Sequence, residues 1–459
     1  MNKHKILILA ALTFVVLLTL SILFYKERTC ILDISYHLFY ILKDGSFAIQ
    51  NNRFGAFFTQ LFPLIGSKLG LSLNSISVLY SMSFIILSFL TFLIIYIGLK
   101  NRKISTTYLL FVVLMTTHTF YWIQSELPQA LAFLFILIAL LDNAINSNKE
   151  MSPPFWLFVS ILSLIVCFTH PLILIAFTFF ILYYFISYPK QIKLIASIGL
   201  IYFSFYLFKS LFFKTIYDSQ AIGGLNNFIT YFPYYFHIQS NKNLFGYFIH
   251  DYYFLPLLLI ASTIFYLKSK QYKKIILLLI FFNGYCLLVN VSYPNGAEQF
   301  YLENQYLILS FIVALPFVLD VLPKLKKPQV QFAILCLICL VGLFRIAGTH
   351  QIYTNRLDWN RNLLAKTKGL SNKKIIIPSH KVPIDTVFMT WGSSYEFWLL
   401  SSIENGVSRS IIIEEIQNEF DWAIPSNKTF ITKWGTFNYE ELNKKYFIFT
   451  DTTNYIKMQ

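Results

Sequence analysis

The sequence predicts a mainly α-helical, polytopic membrane protein with a small α/β domain at its C-terminal end. The chain of 459 residues is 56% hydrophobic and only 13% charged. This is a higher hydrophobic fraction and a lower charged fraction than soluble globular proteins have. Apolar runs of about 18 to 22 residues recur up to position 349, and each is long enough to cross a hydrocarbon core as a helix. Beyond that position, segments rich in β-branched and aromatic residues alternate with more polar segments.

The membrane domain is predicted over residues 1–348, with eleven spanning helices. Their predicted ranges are 6–25, 76–99, 104–122, 127–145, 154–169, 172–188, 194–212, 252–268, 274–292, 304–323 and 329–347. No small-residue cleavage pattern follows the first apolar run, so we expect an uncleaved helix rather than a signal peptide. Amphipathic juxtamembrane helices are expected within 31–70.

The basic residues predict an orientation. The first 349 residues hold 24 Lys and Arg against 11 Asp and Glu, whereas residues 350–459 hold 13 against 11. With the N-terminus in the cytoplasm, 15 of the 24 basic residues fall in inner loops, as the positive-inside rule requires. The basic excess therefore indicates contact with membrane lipid and no nucleic-acid partner. We expect a bacterial inner membrane protein whose C-terminal domain is extracytoplasmic.

The C-terminal domain is predicted over residues 349–459 and is expected to be α/β. Segments 373–380, 408–415, 428–434 and 444–451 have the β-branched and aromatic content of strands, whereas 395–403 and 440–445 favour helix. The aromatic stretch 390–403 is predicted to pack this domain onto the membrane part. The C-terminal domain contains no glycine-rich phosphate loop.

The strongest site candidate lies in the stretch Cys30–Phe54, after the first predicted span. Ionisable residues among aromatic ones are costly near a bilayer unless they face a wet cavity. Asp33 and His37 are four residues apart, so a helix presents both on one face. The alternatives are a helix-capping role for Asp33 and a merely solvated position for His37. Arg53 fits either phosphate recognition or a lipid headgroup.

Other polar residues are expected at the same outer face. They are His118 and Glu126 between the third and fourth spans, His170 before the sixth, Lys214 and His237 in the aromatic loop 213–251, and Glu298 and Tyr301 before the tenth span. Glu126 also fits a favourable charge at a helix N-terminus. The aromatic loop fits either a membrane-surface belt or a platform for sugar rings.

This layout resembles the GT-C superfamily of polytopic glycosyltransferases, which take sugar from a polyprenyl-phosphate carrier. In that family the first outer loop carries an essential Asp or acidic pair on a juxtamembrane helix, and a soluble outer domain often ends the chain. The resemblance covers the overall layout, most clearly residues 1–150, without a long identical motif. It implies that Asp33 is the catalytic carboxylate. Because Leu32 and Ile34 stand where a second acid often lies, a single base is expected.

We therefore expect a GT-C type glycosyltransferase of cell-envelope glycan biosynthesis. It would transfer a sugar from a polyprenyl-phosphate donor to a glycan, lipid or protein acceptor at the extracytoplasmic face. Asp33 as general base and Glu126 would be catalytic. Substrate binding would involve His37, Arg53, His118, His170, Lys214, His237, Glu298 and Tyr301. No cofactor is assigned, and a divalent cation with unknown ligands stays open.

Two alternatives remain from the sequence. A transporter or flippase of lipid-linked saccharide would place charged or broken segments at mid-membrane, whereas the ionisable residues here cluster at one face. A surface polysaccharide polymerase or ligase usually has arginines in its outer loops, and Arg28 and Arg53 alone precede Arg345 outside the short inner loop that holds Arg102.

Overall fold

Apolar helices form most of the protein, seen here in a computed structural model that describes residues 3–123, 126–147, 151–216, 226–369 and 373–458. In chain order the first are α1 (Lys3–Leu23), α2 (Tyr25–Thr29), α3 (Leu32–Asp44), α4 (Leu61–Lys68), α5 (Leu73–Leu93), α6 (Arg102–Leu114), α7 (His118–Tyr121), α8 (Glu126–Ser147), α9 (Pro153–Cys167), α10 (Ile173–Ser187) and α11 (Ile192–Phe212). They continue with α12 (Asn227–Thr230), α13 (Gln239–His250), α14 (Phe254–Lys268), α15 (Tyr272–Ser292), α16 (Gln299–Pro316), α17 (Pro328–Gly348), α18 (His350–Lys366), α19 (Ile384–Val387) and α20 (Ser393–Asn405).

Each of the eleven predicted spans overlaps at least one helix, but not all of these helices are long enough to cross a membrane. In the described part of the chain, seven helices are long and apolar enough, or eight if the pair α13 and α14, bent by 87°, forms one span. Helices α9 and α10 are apolar but only 15 residues long. The multi-pass helical fold is thus confirmed, whereas the count of eleven spans is not, and the predicted orientation, which depends on that count, stays a prediction.

The predicted span 104–122 is interrupted by a turn that Glu303 of α16 holds in place. The carboxylate of Glu303 accepts hydrogen bonds from the backbone N–H groups of Thr117 at 2.7 Å, His118 at 3.1 Å and Thr119 at 2.8 Å. Glu303 is fully buried, so these donors replace the water that its charge would otherwise require. The turn ends α6 and starts α7, which leads the chain to Trp122.

The C-terminal unit contains two small sheets. Strand β1 (Ile375–Pro378) lies between β2 (Ile411–Glu414) and β5 (Ile456–Lys457), and both are parallel to it. Strands β3 (Thr429–Thr432) and β4 (Gly435–Asn438) form an antiparallel hairpin. The small α/β unit is therefore present. However, the predicted strand 444–451 contributes only an isolated bridge, from Phe449 to Ser408, and the predicted helix 440–445 is a single 3-10 turn.

Helix α3 packs between the bundle and the C-terminal unit. Leu38, Phe39 and Leu42 are almost completely buried and share one hydrophobic core with residues of both sheets and α20. The ring of Phe39 lies 5.4 Å from that of Trp398, edge to face. Instead of lying open at an interface, α3 is covered by the C-terminal unit, because its apolar face has a partner there.

Candidate active site

A cavity of about 590 Å³ lies where α3 and the C-terminal unit meet the N-terminal ends of α8 and α16. Charged, amide and aromatic side chains line it together. The lining residues are Asp33, Tyr36, Gln50, Asn51, Arg53, Trp122, Glu126, His170, Tyr301, Gln305, Met389, Trp391 and Trp434. Five of the ten predicted site residues therefore face one cavity, although they come from distant parts of the sequence.

Asp33 reaches this cavity from the first turn of α3. The helix begins at Leu32, whose N–H donates to the Glu396 carboxylate of α20 at 2.8 Å. Glu396 thus satisfies one of the N–H groups that a helix start leaves free. Asp33 is the second helical residue and is not the cap, contrary to the alternative interpretation. The residue is half-buried and lines the cavity.

The surroundings of Asp33 raise the pKa of its carboxyl group to about 7. Burial is the largest cause, because it penalises the charged form, and the negative charge of Glu126 is the second. A hydrogen bond to the backbone and the positive charge of Arg53 act in the opposite direction but more weakly. A carboxyl group with this pKa suits general-base catalysis near neutral pH.

Arg53 and Glu126 form the charged wall of the cavity. Nη1 of Arg53 lies 3.5 Å from Oε1 of Glu126, and both side chains are largely buried. Glu126 is the first residue of α8, where a negative charge is favourable. The pair brings a guanidinium, which matches phosphate oxygens in geometry, into the same cavity as the Asp33 carboxylate.

A tight backbone contact places Arg53 beside His170. Asn51 adopts φ of 49°, in the left-handed region that Asn tolerates better than most residues, and turns the chain just before Arg53. Gly55 then approaches so closely that a Cβ there would lie 1.9 Å from Oγ1 of Thr169. Glycine is therefore required at this position for the two segments to meet.

Both histidines near the cavity are expected to be neutral at pH 7. Burial is the main cause that lowers the pKa of His170 well below its usual value, and the charges of Arg53 and Lys209 add to it. The His170 Nδ1 accepts a hydrogen bond from the backbone N–H two residues on, at 3.2 Å. His37 is 3% exposed, and burial lowers its pKa too. It does not line the cavity, so its predicted contact with substrate gains no support.

Four other predicted residues lie outside the cavity lining: His118, Lys214, His237 and Glu298. The Nδ1 of His118 lies 3.3 Å from the hydroxyl of Tyr353. Burial, and then the charge of Asp385, raise the pKa of Glu298. Lys214 follows α11, and His237 ends a short 3-10 turn. Part of the aromatic loop that holds them, residues 217–225, lies outside the described residues. Nothing in the cavity geometry supports a substrate contact for these four.

Three of the eight lining residues that were not among the predicted site residues come from the C-terminal unit. Met389, Trp391 and Trp434 line the cavity, whereas the sequence indicated only packing for 390–403. A shared signal does exist, since each of these tryptophans precedes a glycine. A Cβ at Gly392 would lie 2.9 Å from Cα of Leu32, so this glycine brings the wall against the start of α3.

A metal site is not evident in the described ranges, which contain no group of three or more His, Cys, Asp or Glu arranged to bind an ion. The cavity holds two carboxylates, and one of them, Glu126, already lies against Arg53. A divalent cation therefore stays open without an identified set of ligands.

Comparison with known proteins gives no relative. No family model, no curated protein and no solved structure matches this chain. A functional inference therefore depends on the cavity and its chemistry.

Proposed function

We propose that this protein is a membrane glycosyltransferase that uses a polyprenyl-phosphate sugar as donor, with Asp33 as general base. The observation that carries the proposal is the meeting of Asp33, Arg53 and Glu126 with aromatic side chains in one cavity of about 590 Å³. A carboxylate, a guanidinium and aromatic faces are what a phosphate-linked sugar and a hydroxyl nucleophile require together.

The position of the cavity suits a donor with a lipid tail. Glu126 begins the helix 126–147, and Tyr301 lies near the start of the helical segment 299–324, both of which are long and apolar enough to span a membrane. Both helices are mostly buried within the bundle, so a prenyl chain would stay in hydrocarbon outside the bundle while its phosphate enters the cavity at the helix ends. Arg53 would then bind the phosphate oxygens.

The reaction would be a single displacement. The acceptor hydroxyl gives its proton to an oxygen of Asp33 while its oxygen forms a bond to the anomeric carbon of the sugar. The bond from that carbon to the phosphate oxygen breaks, and polyprenyl phosphate leaves with the electron pair. Arg53 stabilises the charge on the leaving phosphate. One displacement inverts the configuration at the anomeric carbon.

The test is transfer by the full chain in lipid nanodiscs. Radiolabelled polyprenyl-phosphate sugars are supplied with a membrane extract of acceptors, and label is followed into product. We expect transfer that stops when Asp33 is changed to Asn. Movement of a lipid-linked saccharide across the bilayer of liposomes that contain the protein, without transfer, would instead support a transporter.

A further inference from the structure

Two tryptophans from separate parts of the C-terminal unit form one wall of the cavity. Trp391 precedes α20, and Trp434 lies in the turn between β3 and β4. Their ring centroids are 4.7 Å apart at an interplanar angle of 52°. Trp434 remains 57% exposed, so core packing does not explain a large aromatic side chain at the tip of a hairpin.

Glu415 connects the residues that precede the two tryptophans. Its Oε1 accepts a hydrogen bond from the Thr390 hydroxyl at 3.0 Å, and its Oε2 lies 3.2 Å from Nζ of Lys433. Each of these donors is the chain neighbour of one tryptophan, so this carboxylate links the two segments that carry the rings. The two rings are in contact before any ligand binds.

The same wall continues onto α3. The ring of Tyr36 lies edge-on to Trp434, at 5.6 Å and 90°, and also contacts Trp391 at 6.2 Å. Tyr36 lies three residues after Asp33, which puts the two side chains on neighbouring positions of one helix face. The aromatic surface thus ends beside the candidate base.

We propose that the wall formed by Tyr36, Trp391 and Trp434 binds a pyranose ring of the acceptor, so that the acceptor is a saccharide rather than a bare peptide or lipid. One face of a pyranose presents C–H groups and is apolar, while its hydroxyls point outward along the rim. An aromatic ring removes that face from water and leaves the hydroxyls free. A ring on this wall would present a rim hydroxyl toward Asp33.

This inference rests on the proposed function and specifies its acceptor. The donor is expected at a different part of the cavity lining, where Arg53 lies against Glu126 at the start of α8. The tryptophan wall belongs to the C-terminal unit and α3, and its Trp434 side chain is 57% exposed. It is therefore open to an acceptor that arrives from water.

The test is binding of the purified full chain, in lipid nanodiscs without donor, to an array of oligosaccharides of hexoses, 6-deoxyhexoses and N-acetylhexosamines. Trp434→Ala and Trp391→Ala are compared with Trp434→Phe and with the matched control Trp422→Ala. Trp422 is 58% exposed on the same unit, close to the 57% of Trp434, but does not line the cavity. Because Trp434 is so exposed, its removal is expected to leave the melting temperature unchanged.

We expect the parent chain and Trp422→Ala to bind at least one glycan, Trp434→Phe to keep most of that binding, and Trp434→Ala and Trp391→Ala to lose at least about tenfold in affinity. Binding to no glycan, or binding that Trp434→Ala leaves unchanged, would overturn the inference. The assay contains no donor, so its failure leaves the transferase proposal standing. Glycan binding with no transfer from any polyprenyl-phosphate sugar would instead count against the proposed function.

Discussion

Two carboxylates at opposite ends of the helical bundle, Asp320 and Asp33, have opposite surroundings. Asp320, at the far end of the segment that starts near Tyr301, accepts hydrogen bonds from the hydroxyls of Tyr183 and Tyr266, each at 2.7 Å. Nζ of Lys274 lies 2.5 Å from the same oxygen. A rise of about 1.5 Å per residue places this cluster roughly 28 Å from the cavity end.

At the cavity end, by contrast, no side chain within the described residues donates a hydrogen bond to Asp33, whose carboxylate has only a backbone partner. Protein side chains, and not water, bind the carboxylate of Asp320, so that carboxylate is structural. Asp33 instead faces an open volume beside a guanidinium. The comparison shows that the presence of an acidic residue is not enough to identify a candidate catalytic carboxylate. The candidate also has to face a cavity and to lack side-chain hydrogen-bond donors, as Asp33 does among the described residues.

The largest expected effect is the loss of transfer in Asp33→Asn. An amide cannot accept the proton, so the rate of sugar transfer should fall by roughly 10²- to 10⁴-fold. Asp44→Asn is the matched control, because Asp44 is exposed at the other end of the same helix, paired with Lys43. Its transfer rate should stay within about twofold of the parent. Equal rates in the two variants would remove Asp33 from the mechanism.

A carboxylate whose oxygens already accept hydrogen bonds from protein donors should contribute to the stability of the fold and not to sugar transfer. Arg356 and Glu396 form an ion pair at 2.6 Å with side chains only 3% and 2% exposed. Arg356→Met leaves a buried negative charge, so the free energy of unfolding should drop by about 3 to 5 kcal/mol. Thermal unfolding in detergent measures this drop.

The control for that measurement is Arg361→Met on the same helix. Arg361 pairs with Glu404 at 2.7 Å, but its side chain is 35% exposed. Exposed pairs contribute about 0 to 1 kcal/mol, so this variant should melt close to the parent. Similar losses of stability in the two variants would show that burial does not determine how much each ion pair stabilises the fold.

These contrasts also show what the sequence could predict. Asp33, Arg53 and Glu126 could be singled out, because charged residues beside long apolar runs are unusual enough to stand out. The tryptophan wall could not, because Trp391 and Trp434 meet only after the C-terminal unit folds over α3, and the Trp-Gly pairs that they share do not by themselves indicate that contact. The count of eleven spans is not confirmed, in part for a related reason. The buried Glu303 interrupts one apolar run through hydrogen bonds to a turn 184 to 186 positions earlier in the chain.

A smaller effect is expected on the stability of Asp33→Asn. The pKa of Asp33 is about 7 in the folded protein against a usual value of 3.8, so its ionised form destabilises the fold above pH 7. The full shift corresponds to about 4 kcal/mol, and water in the cavity should reduce this to about 1 to 2 kcal/mol. The variant should therefore melt above the parent at pH 8. That advantage should shrink as the pH falls from 7 towards 4, and an advantage that grows on acidification would contradict the assigned burial.

The smallest expected effect is a shift in the pH profile. For the parent chain, kcat/KM should rise with pH and level off above about pH 7, as Asp33 loses its proton. Glu126 raises the pKa of Asp33 through its charge, so Glu126→Gln should move the midpoint downward by less than about one pH unit. A midpoint that moves upward, or does not move, would contradict a rise of the Asp33 pKa caused by the charge of Glu126.

The most direct measurement is a structure of the full chain in lipid nanodiscs with polyprenyl phosphate bound. We expect the phosphate inside the cavity of about 590 Å³, in contact with Arg53 and on the side of the cavity that faces Asp33. A phosphate bound at the opposite end near Lys274, with the cavity empty, would contradict the placement of the reaction at Asp33.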